Sequence, residues 1–114
     1  MFGEVFSGTY QKKKAAIKIL DFNCIKKGIA TQDEGLTMFI REFAYLEKVQ
    51  SNNVVKVYEA GVRNGLYYII MEDGGAPLST LPKGEISLER IMDIYYQAAS
   101  GLRDIHKMGV IHRD

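Results

Sequence analysis

Apolar and polar positions alternate along the first residues of the chain. Val5 and Ser7 fall on one face and Phe6 and Gly8 on the other, so Phe2–Tyr10 is predicted as a strand. Gln11–Lys13 reads as a polar turn. Lys14–Leu20 (KAAIKIL) is apolar on both faces except for Lys18, the pattern of a central strand covered on two sides. Ala16, Lys18 and Leu20 share one face; Ala15, Ile17 and Ile19 share the other. Asp21 to about Thr31 is a polar connection. From about Asp33 to Gln50 the period becomes helical, with Phe39, Phe43, Leu46 and Val49 as the apolar stripe and Glu42 beside it. Ser51–Asn53 ends that helix.

Two more strands follow, Val54–Val62 and Leu66–Glu72, joined by Arg63-Asn64-Gly65. Asn-Gly between apolar runs is a strong hairpin signal, because both residues tolerate positive φ. Asp73-Gly74-Gly75-Ala76-Pro77 then breaks the pattern and reads as a hinge. The longest helix is expected from Ser87 to about Met108. Ser87 is its N-cap, and Glu89 suits the first turn. Its buried stripe is expected to be Leu88, Ile91, Tyr95, Ala98, Leu102 and Ile105, widened by Met92 and Ala99. Gly109 is the C-cap, and Val110-Ile111 a short strand leading into His112-Arg113-Asp114.

The 114 residues suffice for one small domain or one lobe of a larger one. A 46% hydrophobic, 25% charged composition is that of a folded chain. A net charge of +1 gives no electrostatic case for nucleic acid or an anionic membrane; Lys12-Lys13-Lys14 reads as a solvated turn. The single cysteine, Cys24, forms no internal disulfide, which with the absence of a signal-like start points to a reducing, cytoplasmic setting. No apolar run approaches the length that crosses a bilayer.

The order strand, strand, helix, hairpin, glycine hinge, helix, His-Arg-Asp resembles the eukaryotic-type protein kinase domain over essentially the whole chain. The resemblance implies an α+β architecture: residues 1–73 as the N-lobe, an antiparallel sheet with its helix C, and residues 74–114 as the hinge and the start of the helical C-lobe, truncated at His-Arg-Asp. Gly3-Glu4-Val5 is similar to the end of the phosphate-covering glycine loop, GxGxxGxV, whose first glycines precede the chain. Ala15-Ala16-Ile17-Lys18 is similar to the strand whose lysine holds the α- and β-phosphates. Glu42 matches the helix glutamate that pairs with that lysine, on its spacing to Asn53-Val54-Val55; Glu34 and Glu47 are the alternatives. Lys18 to Glu42 is longer than in many relatives and implies an insertion. Leu66–Gly74 resembles the fifth strand and hinge, with Met71 behind the adenine and the main chains of Glu72 and Gly74 on its edge. Leu46, Val57 and His112 would join the hydrophobic spine.

Ile111-His112-Arg113-Asp114 after a long amphipathic helix is the most specific match. By resemblance, Asp114 orients the substrate hydroxyl and Arg113 pairs with a phosphorylated activation loop. The implied catalytic residues are thus Lys18, Glu42 and Asp114. The implied nucleotide-binding residues are Gly3, Val5, Ala16, Lys18, Met71, Glu72 and Gly74. The implied cofactors are ATP and Mg²⁺, the implied partner a protein substrate, serine or threonine on base rate. The family's Mg²⁺-binding asparagine and Asp-Phe-Gly fall outside these residues, so the sequence reads as a piece of a kinase, inactive by itself, that pairs through the apolar face of the 87–108 helix. A pseudokinase and a small-molecule kinase of the same fold are the competing readings.

Overall fold

The computed structural model describes residues 3–20 and 32–111. The Asp21–Thr31 connection and His112-Arg113-Asp114 lie outside the described residues. Four antiparallel strands form one sheet: β1 (Gly3–Tyr10), β2 (Lys13–Leu20), β3 (Val57–Arg63) and β4 (Leu66–Glu72), in the spatial order β1-β2-β4-β3. β2 is central, as its two-sided apolar pattern demands. Among the described residues, Ala15 and Ile69, 1% exposed each, are the two most deeply buried apolar residues of the sheet.

Two hairpins build the sheet. Asn64 (φ 51°) and Gly65 (φ 76°) close β3 onto β4, both in the left-handed region as the Asn-Gly pair predicts. Gln11 (φ 47°) and Lys12 (φ 66°) close β1 onto β2 in the same way without a glycine. This turn is one residue tighter than the Gln11–Lys13 expected, so β2 begins at Lys13.

β3 corrects the expected Val54–Val62 strand. It starts three residues later and runs to Arg63, because Asn52–Asn53 still turn the chain and a register shift between Val57 and Glu59 marks the entry of the strand. Helix α1 (Gln32–Lys48) carries Phe39, Phe43 and Leu46 half-buried, with Val49 just beyond it. A single 3₁₀ turn (Leu78–Thr80) follows the glycine break.

Helix α2 (Leu88–His106) is capped by Ser87, whose Oγ accepts the Arg90 N–H at 3.2 Å. Its end is a Schellman arrangement. The Gly109 N–H donates to His106 O (2.9 Å), the Val110 N–H to Ile105 O (3.4 Å), and Gly109 has φ 76°. Val110-Ile111 forms no strand. The face of α2 expected to be buried is mostly open: Leu88, Met92, Tyr95 and Leu102 are 72%, 63%, 74% and 42% exposed. Of that stripe only Ile105 is buried. The packed side is Ser100, Gly101 and Ile105, because the turn after α1 lies on it.

Candidate active site

Cross-strand partners share a face of an antiparallel sheet, so the registers sort the side chains. Gly3 stands opposite Leu20. Val5, Lys18 and Ile69 form one row across β1, β2 and β4; Ser7, Ala16 and Met71 form the next, extended by Val57. Tyr67, two residues before Ile69, belongs to the same face, and its ring meets Phe39 of α1 at 5.5 Å between centroids and 56°. Helix α1 therefore packs on the face that carries Lys18. Glu42 lies in α1 three residues beyond Phe39, and its side chain is outside the described residues.

Five of the sequence-predicted residues, Gly3, Val5, Ala16, Lys18 and Met71, thus occupy consecutive rows of one sheet face. Ala16, Lys18 and Met71 are half-buried, while Val5 is 62% exposed. The lysine is flanked across the strands by apolar Val5 and Ile69. In such surroundings an ammonium gains more from an opposite charge than it does in water.

The glycine-containing segment leaves the end of β4. The Glu72 N–H donates to Lys56 O at 2.7 Å, and Glu72 Oε2 accepts the Lys56 N–H at 3.1 Å. Asp73 Oδ1 accepts the Gly75 N–H at 2.9 Å, folding the glycine pair into a tight turn with Gly75 at φ 82°. A Cβ on Gly74 would lie 3.4 Å from Val55 Cγ1, so this segment rests on the residues just before β3. Sequence reasoning used Glu72 only through its main chain. Its carboxylate bond to Lys56 had no sequence signal, since sixteen residues separate the two and only the β3–β4 register brings them together.

A second junction joins the sheet layer to α2. Asn53 O comes within 2.7 Å of where a Gly101 Cβ would stand. Beside it, the Ser51 hydroxyl bonds to the Asp104 carboxylate and also accepts the Asn53 N–H at 3.1 Å. The Ser51 bond, aided by the Arg103 guanidinium at 3.4 Å, holds the Asp104 carboxyl below its usual value of 3.8, against a smaller opposing effect of burial. An open cavity of about 730 Å³ borders this junction, lined among others by Leu46, Lys56, Tyr58 and Asp104; none of the predicted site residues lines it.

A family model of the protein kinase domain matches residues 1–114. The chain belongs to the protein kinase domain family. Similar proteins include a probable serine/threonine-protein kinase of Clostridium acetobutylicum, 31% identical over 93% of this chain and 16% of that protein. The serine/threonine-protein kinase STY17 of Arabidopsis thaliana is 30% identical over 99% of this chain and 20% of that one. The fold of this kinase-family chain is similar to part of the PknI kinase domain of Mycobacterium tuberculosis, with a TM-score of 0.73 at 21% identity, covering 99% of this chain and 46% of the other. The chain thus spans a fifth or less of these two curated relatives and about half of the solved kinase domain.

Proposed function

We propose that the sheet face bearing Val5, Ala16, Lys18 and Met71 is the nucleotide face of an ATP-dependent protein kinase. The observation that carries this reading is the cross-strand alignment of these residues, with the lysine central and the helix of Glu42 packed on the same side. Val5 and Ala16 offer adjacent apolar surface to a planar base. Ala16 is small enough to leave room for a ring between Ser7 and Met71, which is the fit such a ligand needs.

In this reading Lys18 holds the phosphates and Glu42 orients the lysine. The Gly3 backbone admits close approach to phosphate oxygens, and the main chains of Glu72 and Gly74 hold the base edge. Asp114 positions the hydroxyl of a protein substrate. ATP with Mg²⁺ supplies the transferable phosphoryl group and offsets its charge. The serine/threonine kinases among the similar proteins support a serine or threonine acceptor. The division into an N-lobe to residue 73 and a hinge from residue 74 is supported by the end of β4 at Glu72. Residues 1–114 hold none of the family's Mg²⁺-binding positions, and they are expected to be inactive by themselves. The open stripe of α2 supports their self-association. No helix among the described residues is long and apolar enough to cross a membrane; the reading places the protein in the cytoplasm.

The test is Lys18→Ala in the reading frame that includes the downstream kinase motifs. Phosphotransfer to a generic protein substrate should fall by about 100-fold or more, the scale of losing one preorganised charge partner. Activity within a few-fold of the unsubstituted protein would overturn the assignment of Lys18.

A further inference from the structure

Tyr10, Tyr58, Glu59 and Tyr68 converge on the sheet face opposite Lys18. Tyr10 ends β1 on the side of Phe6 and Gly8, Glu59 stands opposite Ile70, and Tyr68 opposite Ile19. The Glu59 carboxylate accepts the Tyr10 hydroxyl through Oε2 at 3.1 Å and the Tyr68 hydroxyl through Oε1 at 2.8 Å. Tyr58 stacks on Tyr10, 5.5 Å between centroids and 9° between planes. All four residues are half-buried.

Two local features build this clasp. Adjacent residues of a regular strand face opposite sides, yet Tyr58 and Glu59 both meet Tyr10. Val57 pairs with Met71 and Glu59 with Ile70, so Tyr58 is the extra residue of a β-bulge. A bulge re-aims a side chain that regular pairing would turn away. The second feature is Gly61. A Cβ there would lie 2.9 Å from Tyr68 Oη, so any side chain would push the phenol off its path to Glu59.

β1 and β3 are the outer strands of the sheet, with β2 and β4 between them. The Tyr10–Glu59 bond therefore spans the full width of the sheet. In a flat sheet three spacings of about 4.8 Å would separate these strands; a side-chain bond between them holds one edge bent toward the other. Lys13 and Lys14 lie beyond the last β2–β4 pair, Ala15–Glu72. The closed end of the first hairpin thus has no support from β4, and the clasp supplies a hold there that the ladder does not. The same strand carries Gly3 and Val5 on the Lys18 face, where Val5 is 62% exposed and little else holds it.

We infer that Glu59 is a positioning residue: by gripping Tyr10 it sets the tilt of β1, and so the height of Gly3 and Val5 over Lys18, without touching the nucleotide. This role rests on the nucleotide reading above and extends it to the far face of the sheet. A strand held by its ladder alone samples several tilts. Apparent affinity then falls by the fraction of time spent in the competent one.

Three variants separate the parts. Tyr10→Phe keeps the stack on Tyr58 and removes one bond. Glu59→Ala removes the acceptor of both phenols, and Glu59→Gln keeps an acceptor oxygen. They are compared with the intact chain by amide hydrogen exchange without nucleotide and by isothermal titration with ADP. Tyr10→Phe and Glu59→Ala should speed exchange of the β1 amides about five- to tenfold relative to those of β4, the worth of one hydrogen bond, and weaken ADP by a similar factor. Glu59→Gln should stay within about twofold of the intact chain in both. Tyr10→Phe combined with Glu59→Ala should bind ADP no more weakly than Glu59→Ala, since both act through one bond.

Equal acceleration in all four strands would show a general loss of stability and overturn the inference. So would faster β1 exchange with ADP affinity unchanged, and the nucleotide reading would then stand. Absence of ADP binding to the unsubstituted chain would bring down the nucleotide reading and this role with it. The exchange rates would still report whether the clasp holds β1.

Discussion

Gln11 and Lys12 turn the first hairpin with φ values of 47° and 66°, a conformation that costs a non-glycine residue about 1–2 kcal/mol. The second hairpin has Asn64-Gly65 at the equivalent places and avoids most of that cost. Lys12→Gly is therefore expected to stabilise the fold by about 1 kcal/mol, less glycine's extra chain entropy. Urea denaturation measures it, and a lower midpoint would show that Lys12 makes a compensating contact. The first hairpin is held at its tip by other residues. Tyr10 stacks on Tyr58 at 5.5 Å and 9°, and the Tyr10 and Tyr68 hydroxyls donate to Glu59 at 3.1 Å and 2.8 Å. Both phenols are raised above 10.0 chiefly because the Glu59 carboxylate accepts their protons' bonds, with burial and its negative charge adding to the effect.

At the scale of elements, the decisive contact is the turn after α1 lying on α2. Glycine in the middle of an exposed helix usually gains about 1 kcal/mol on replacement by alanine. Gly101 should reverse that sign. Its added methyl would meet backbone, Asn53 O at 2.7 Å, which cannot swing aside as a flexible side chain would. Gly101→Ala is expected to destabilise by about 1–3 kcal/mol through overpacking. Thermal unfolding decides between the two, since a raised Tm would mean that the turn and α2 are not in contact in solution. Ser51 and Asp104 border the same contact, so the damage should spread to their hydrogen bond.

At the scale of the whole molecule, α2 leaves a large apolar surface uncovered. Leu88, Met92, Tyr95, Ala99, Leu102 and His106 are spaced four, three, four, three and four residues apart, the seam of a pairing helix. Glu89 lies near one end of that seam and Arg103 near the other, so two antiparallel copies would set opposite charges side by side. Residues 1–114 are therefore expected to self-associate, with a sedimentation coefficient that rises with concentration. Tyr95→Glu, at a position 74% exposed and so outside the packed interior, should return them to monomer. A concentration-independent monomer before substitution would refute this.

The alternation in β1 and β2, the Asn-Gly hairpin, the Ser87 cap and the Gly109 terminus were legible in the sequence because each depends on neighbours within a few residues. The two-residue period likewise grouped Ala16 with Lys18 within β2, but that Val5 and Met71 join them on one face was decided by the cross-strand registers. The late start of β3, the Glu72–Lys56 rung and the side of α2 that is buried were not. Each depends on a segment far along the chain, brought near by register or packing. The apolar stripe of α2 shows the division most clearly: periodicity marks a face that avoids water, but only tertiary structure decides which face the rest of the chain covers. Here Gly101, one turn before Ile105 at the edge of that stripe, allowed the closer approach.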